Sequence, residues 1–302
     1  MKRHAIHRKK LKDAVAGYGF ITPATILLAT FVVLPIIISV ILSFAKYNGF
    51  SELEWIGWKN FTDAFKDPDF LASMKNTAVY VATTVPLQTI ISLLLAAVLA
   101  AKFRNPFGEF VRGTLFIPVL CSSVLAGTIF YYLFASDSES MANLLLAMFG
   151  LEKQNWLGQR STALAVICLV AVWKNVGYYL VIFYAGIMDV PANLYEAARV
   201  DGASAVQQFL HVTLPGIRPI LYTVLTLGTI WAFQVFDITY VMTKGGPGNA
   251  TTSPVLVLYN AGFSSRRLGY ASAIACILAI IIFIVTMVLR VAFREKAGGE
   301  DA

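Results

Sequence analysis

The chain has 302 residues, of which 58% are hydrophobic and only 14% charged, with a formal net charge of +7. A soluble domain carries about 25% charged residues, so the polar surface that a soluble protein of this length needs is missing and the membrane class is favoured. The excess positive charge then reads as basic loops on one side of a bilayer, not as a nucleic-acid surface.

The N-terminal stretch MKRHAIHRKKLK is basic, and residues 1–17 read as an arm. The apolar region that follows, Tyr18–Phe44, is longer than the roughly 7–15 residues of a signal-peptide core, and no small-x-small cleavage site comes after it. It reads as a retained first span. Five more stretches reach the spanning length of about 20 residues. They are Thr77–Ala101, Gly113–Ala135, Thr162–Met188, Ile217–Val241 and Tyr270–Phe293. Pro23, Pro35, Pro86, Pro118 and Gly127 fall inside spans, which tolerate them because neighbouring groups satisfy the freed backbone. Lys and Arg are more numerous on the side of the N-terminal arm, which predicts that both termini are cytoplasmic. The expected fold is therefore all-α, with six transmembrane helices. Residues 45–76 form an extracytoplasmic loop, 77–293 a core of five helices and 294–302 a cytoplasmic tail.

In the first outer loop, EWIGWKNFTDAFKDPDF places Trp55, Trp58, Phe61 and Phe65 at about helical spacing. That predicts a short helix at the membrane interface, where aromatic rings are favoured. KGGPGNATTSP, from Lys244, reads as a turn-rich outer cap. Cys121, Cys168 and Cys276 lie in apolar runs without CxxC spacing, so they point to helix packing and away from zinc or disulfides. No GxxxxGK[ST] occurs, so the chain is not expected to hydrolyse ATP.

Residues 189–215, between spans four and five, are moderately polar. Pro191 suits the first turn of a helix, with Asp189 as acceptor for its free N–H groups. This helix runs to about Val200, and Asp201-Gly202 stops it. Ser204 with Gln207 has capping-box spacing. Val206, Phe209, Leu210 and Thr213 then recur as one apolar face, and Pro215 and Pro219 end this helix and start the next span. Two short helices joined by a tight turn suit docking of a partner. A connector packing only on its own bundle is the alternative.

The residues of this segment carry a specific resemblance. EAARVDGASAVQQFLHVTLPGIRP resembles the EAA motif of the permease subunits of ATP-binding-cassette importers: EAA, two residues, DGA, five residues, F, then LP and often a further P. Glu196, Ala197, Ala198, Asp201, Gly202, Ala203, Phe209, Leu214, Pro215 and Pro219 match in register. WIGWKNFTDAFKDPDFLASMKNT and FDITYVMTKGGPGNATTSPVLVLYNAGFSSRRLGYASAIA resemble the carbohydrate branch, and within it the first of two paired permeases of the maltose, glycerol-3-phosphate and lactose type. The resemblance implies the type I (MetI-like) importer permease fold in a bacterial or archaeal cytoplasmic membrane. It implies a second permease subunit, an ATPase dimer that uses ATP and Mg, an extracytoplasmic solute-binding protein and a carbohydrate substrate, with no cofactor or metal bound by this chain. It also implies that the loop is a coupling helix docked in a cleft of the ATPase. Glu196 would contact the ATPase, the three alanines keep the surface slim, and Gly202 allows the turn. Asp201 would cap locally or make contact, while Phe209 and Pro215 belong to the same coupling set.

Polar groups within spans are the default site candidates. Span four offers Trp173, Lys174, Asn175, Tyr178 and Tyr179, and span five offers Trp231, Gln234 and Asp237. Aromatic faces with amides and hydroxyls match the C–H face and hydroxyl edge of a sugar. The resemblance implies that these two spans form the membrane sugar site. Helix packing is the competing role for Trp173 and Trp231, and bracing of the GGP loop for Asp237. On pattern alone, an ion-coupled secondary transporter and a membrane scaffold compete with the importer reading. On the importer scaffold, glycerol-phosphate or another non-sugar solute remains an alternative substrate.

Overall fold

The first span is a helix, α1, at Gly17–Ser43. Its turn widens at Ala29–Val33, where the Leu34 N–H reaches back to the Ala29 carbonyl. Pro35 follows directly; it has no N–H, and its ring crowds the preceding turn, which a wide turn relieves. The computed structural model describes residues 17–135 and 140–294, so most of the N-terminal arm and nearly all of the C-terminal tail lie outside the described residues. Most of α1 is exposed apolar surface, as a lipid-facing helix requires.

The first outer loop is more built than expected. Strands β1 (Ala45–Lys46) and β2 (Glu54–Trp55) pair antiparallel, with Ala45 opposite Trp55. Trp55 therefore sits on a strand and is not part of the interfacial helix, which is only α2, Lys59–Ala64. The period of the four aromatics is misleading because Gly57 turns the chain with φ +60° between Trp55 and Trp58. Asn60 pins this helix to the end of α1: its Nδ2 donates to the carbonyls of Ser43 (2.9 Å) and Ala45 (2.8 Å).

Helix α3 (Pro68–Lys102) begins nine residues before the expected span, at an Asp67 cap whose carboxylate accepts from the Asp69 N–H at 2.9 Å, with Pro68 in the first turn. At 35 residues it is about 52 Å long, beyond the hydrocarbon core at both ends. Ser73, Thr77, Tyr80, Thr84, Gln88 and Ser92 make a buried stripe along it. The Thr84 hydroxyl donates to the Tyr80 carbonyl at 2.7 Å, and the Ser92 hydroxyl to that of Gln88, so part of the stripe is satisfied within the helix itself.

The expected single span Gly113–Ala135 is two helices, α4 (Pro106–Leu120) and α5 (Ser123–Leu133), bent by 94° at the break. Pro118 removes a backbone donor near the end of α4, Cys121 is extended, and the Ser122 hydroxyl caps α5 by accepting from Leu125 N–H at 3.1 Å. A short outer helix, α6 (Met141–Met148), precedes α7, Arg160–Asp189. Helix α7 is the central element and packs against α3 and α4. The approach to α4 requires Gly177, since a Cβ there would stand 2.0 Å from the Leu115 carbonyl oxygen.

After α7 come α8 (Ala192–Val200) and α9 (Ala205–Gly216), then α10 (Arg218–Phe233) at 71° to α9. The expected fifth span, Ile217–Val241, is interrupted: α10 stops at Phe233, and a separate α11 runs Asp237–Thr243. The outer region closes with α12 (Pro254–Tyr259), and the last span is α13, Leu268–Arg294. Among the described residues, four helices are individually long and apolar enough to cross a membrane, or up to six if each bent pair counts as one.

The Lys244–Pro254 cap ties span ends together. Arg160 Nη2 donates to the Gly248 carbonyl (3.0 Å), Asn249 Nδ2 to Asp69 Oδ1 (2.5 Å), and Asn76 Nδ2 to the Asn249 carbonyl (2.6 Å). Tyr270 donates to Asp67 at 2.5 Å. The starts of α3, α7 and α13 thus share one end of the bundle, and the 189–215 segment, which follows α7, lies at the other.

Candidate functional site

The 189–215 segment folds from its own sequence signals. Helix α8 ends in a Schellman closure: Gly202 N–H donates to the Arg199 carbonyl at 3.1 Å and Ala203 N–H to the Ala198 carbonyl at 2.8 Å. Gly202 has φ +76°, a left-handed conformation in which side chains are strained. Ser204 and Gln207 form the expected capping box, at 3.4 and 2.8 Å. At the other end the expectation fails. Asp189 is the last residue of α7, and Pro191 stands before the first turn of α8 with no side chain bonding into it. The extended Val190 separates the two helices, so Asp189 belongs to the span.

Glu196, Ala197, Asp201 and Gly202 are exposed, Ala198 and Ala203 half-buried, and Pro215 exposed at the first turn after a wide helical segment. Phe209 faces the other way and packs on the core of the bundle, beside Thr213, whose hydroxyl lies 2.9 Å from that of Tyr195. The expected single apolar face over Val206, Phe209, Leu210 and Thr213 is therefore split. A wide turn at Phe209–Thr213 shifts the register, leaving Val206 and Leu210 outside. Leu194 and Val200 are exposed too. The result is an anchored loop with a slim surface of alanines, two exposed carboxylates, Glu196 and Asp201, and several uncovered apolar side chains.

At the middle of α7 a cavity of about 460 Å³ opens between α7, α10 and α11, with Trp231, Gln234 and Asp237 exposed at its mouth. Lys174, Asn175, Tyr178, Trp231, Gln234 and Asp237 all line it. The break at Gln234–Phe236 makes this possible, because it turns Asp237 into the first turn of α11 facing the same space. Tyr178 and Trp231 form one aromatic wall, with centroids 5.3 Å apart. Asn175 Nδ2 sits 3.5 Å from Gln88 Oε1, a long contact that couples the wall to α3. Lys174 has no ion-pair partner among the described residues.

Tyr179 does not reach the cavity. It is wholly buried beneath Tyr178 and Trp231, and its hydroxyl has no partner among the described residues. Tyr178 lines the cavity, whereas Tyr179, turned about 100° from it on the helix, packs into the core with Leu180 and Phe183. Trp173 packs edge-on against Phe130 at 4.9 Å. Asp237 makes no bond to the GGP loop; Arg160, Asn76 and Asp69 brace it instead. Sequence reasoning missed Tyr80 and Ser123, which also line the cavity. The polar stripe of span two, at spacings of three and four, was the available signal for Tyr80.

A helical bundle with an exposed, folded loop at one end and a polar-aromatic cavity fits a membrane permease component. Residues 77–296 match the profile of the binding-protein-dependent transport system inner membrane component, and the chain belongs to that family. It is thus a multi-pass membrane permease subunit of an ATP-driven importer and not an enzyme. It is 36% identical over 289 residues to the arabinooligosaccharides transport system permease protein AraP of Bacillus subtilis (strain 168), covering 94% of this chain and 90% of that protein. Identity is 34% over 293 residues to the probable ABC transporter permease protein YurN of the same organism, covering 96% and 99%. It is 30% over 289 residues to the trehalose/maltose transport system permease protein MalF of Thermococcus litoralis, covering 95% and 97%. The fold matches a chain in the crystal structure of a bacterial ABC transporter involved in the import of the acidic polysaccharide alginate, with a TM-score of 0.83 over 95% of this chain and 98% of that one. At 22% identity this likeness speaks for the fold alone.

Proposed function

We propose that this chain forms half of the translocation path of a carbohydrate importer in a bacterial or archaeal cytoplasmic membrane. A second permease supplies the other half, and an extracytoplasmic binding protein delivers the sugar. The observation that carries the reading is the convergence of Tyr178, Trp231, Asn175 and Gln234 on one cavity open at the side of the bundle. Ring faces take the apolar side of a sugar, and the amides donate to and accept from its hydroxyls. The exposed surface around Glu196 and Gly202 docks an ATPase subunit, whose ATP- and Mg-dependent closure moves the loop. Phe209, half-buried against the core, passes that movement into the spans as a rigid-body shift.

The test is uptake of labelled sugar by cells expressing the full transporter. Asn175→Ala with Gln234→Ala raises the apparent KM or changes the preferred sugar, while the ATPase still copurifies. Unchanged kinetics sink the site. Lys174, in the cavity without an ion-pair partner among the described residues, supports a second reading in which the solute is anionic, a glycerol-phosphate or an acidic sugar. Lys174→Met separates the two, since it weakens uptake of an anionic solute selectively.

A further inference from the structure

A second cleft, about 400 Å³, lies at the end of the bundle opposite the coupling loop. The β1–β2 hairpin, α2 and the start of α13 enclose it. Its charged lining is Lys46, Lys59, Arg266 and Arg267 against Glu54 and Asp63. Glu54 is already engaged by Lys46 at 3.4 Å, the only ion pair among the described residues. Lys59, Arg266 and Arg267 are exposed and have no carboxylate partner there.

The two guanidiniums are held. Arg266, with φ +53°, has its central carbon 5.1 Å from the Phe50 ring centroid. Arg267 stands 4.2 Å from the ring of Tyr270, which is itself fixed by its bond to Asp67. Stacking uses the flat face of a guanidinium and leaves its N–H edge free for a planar or tetrahedral oxyanion.

The depth of the cleft points to the source of that oxyanion. Span α1 ends at Ser43 and α13 starts at Leu268, so the cleft lies where two apolar spans leave the hydrocarbon. Phe50, Trp55, Trp58 and Phe263 are exposed around it, as rings at the headgroup level are. Val40 and Ile41, one turn deeper, are exposed apolar surface along which acyl chains can lie.

We propose that this cleft binds the phosphodiester headgroup of an anionic phospholipid, with Arg266, Arg267 and Lys59 on the phosphate oxygens and the acyl chains along α1. This is independent of which solute the transporter carries. The test is native mass spectrometry of the intact, detergent-solubilised transporter, titrated with phosphatidylglycerol, phosphatidylcholine and inorganic phosphate. The wild type retains phosphatidylglycerol in preference to phosphatidylcholine. Arg266→Gln with Arg267→Gln weakens that retention about thirty-fold, from the usual contribution of each basic residue at a membrane surface. Lys59→Gln alone weakens it about five-fold and serves if the double variant does not assemble. Equal retention of the two lipids, or unchanged retention in the variants, overturns the proposal. Displacement of phosphatidylglycerol by equimolar inorganic phosphate overturns it in favour of a soluble phosphate ligand.

Discussion

Replacing Gly202 by alanine isolates a backbone cost within the coupling loop. A Cβ at this position would meet nothing within 4 Å, so no clash contributes. What remains is the φ of +76°, which costs a residue with a side chain about 1–2 kcal/mol. The Schellman bonds of Ala203 and Gly202 to the end of α8 close only in that conformation. If the loop must hold this shape to dock, the competent fraction falls about 5- to 30-fold. The assay is initial-rate uptake in cells carrying the full transporter, with ATPase copurification as the docking readout. Both fall together in Gly202→Ala and further in Gly202→Val, whereas Gly202→Asn, which tolerates the left-handed region, retains more of each. The melting temperature of the permease purified without its ATPase changes little, because residue 202 is exposed and lies in no core cluster. Normal uptake by Gly202→Val refutes the reasoning.

Gly177→Leu forces α4 and α7 apart, because even a Cβ overlaps the Leu115 carbonyl; expression and thermal stability drop, with overpacking costing about 1–3 kcal/mol or more. Tyr179→Phe removes a buried hydroxyl that has no partner among the described residues. Its melting temperature holds or rises and transport is retained; a lower melting temperature would show that the hydroxyl is bonded, and a loss of transport at unchanged melting temperature would place it in the transport path. Asn60→Ala leaves the Ser43 and Ala45 carbonyls without their donor and costs about 1–3 kcal/mol, read as a lower melting temperature. Glu196→Lys inverts the exposed charge of the coupling loop and abolishes uptake while membrane insertion, followed by fractionation, stays normal.

The coupling loop was legible at close range because its signals are local. Gly202, the Ser204–Gln207 capping box and the proline pair each act within a few residues, so chain order alone places them. The same locality explains the failure at Phe209: the wide turn that sends it inward is set by packing against the bundle. The cavity was partly legible, since polar groups in apolar spans are rare enough to stand out. Helical spacing alone could not choose between Tyr178 and Tyr179. Both are tyrosines in one span, and only the position of α10 decides which of them faces open space.

Composition, apolar run length and the EAA register determined the membrane class, the number of apolar segments, the coupling loop and the family. The spans and the two short helices of residues 189–215 follow because hydrophobic thickness and local capping are read one segment at a time, whereas the family follows from the matched residues of the EAA register. Only the tertiary structure decided the breaks at Cys121–Ser122 and Gln234–Phe236, the burial of Tyr179 and the entry of Tyr80 into the cavity wall. It alone brought Arg266 and Arg267 beside Lys59 across some two hundred residues of chain. These depend on which helices are neighbours and how closely they approach, and contacts between distant segments leave no period in either sequence.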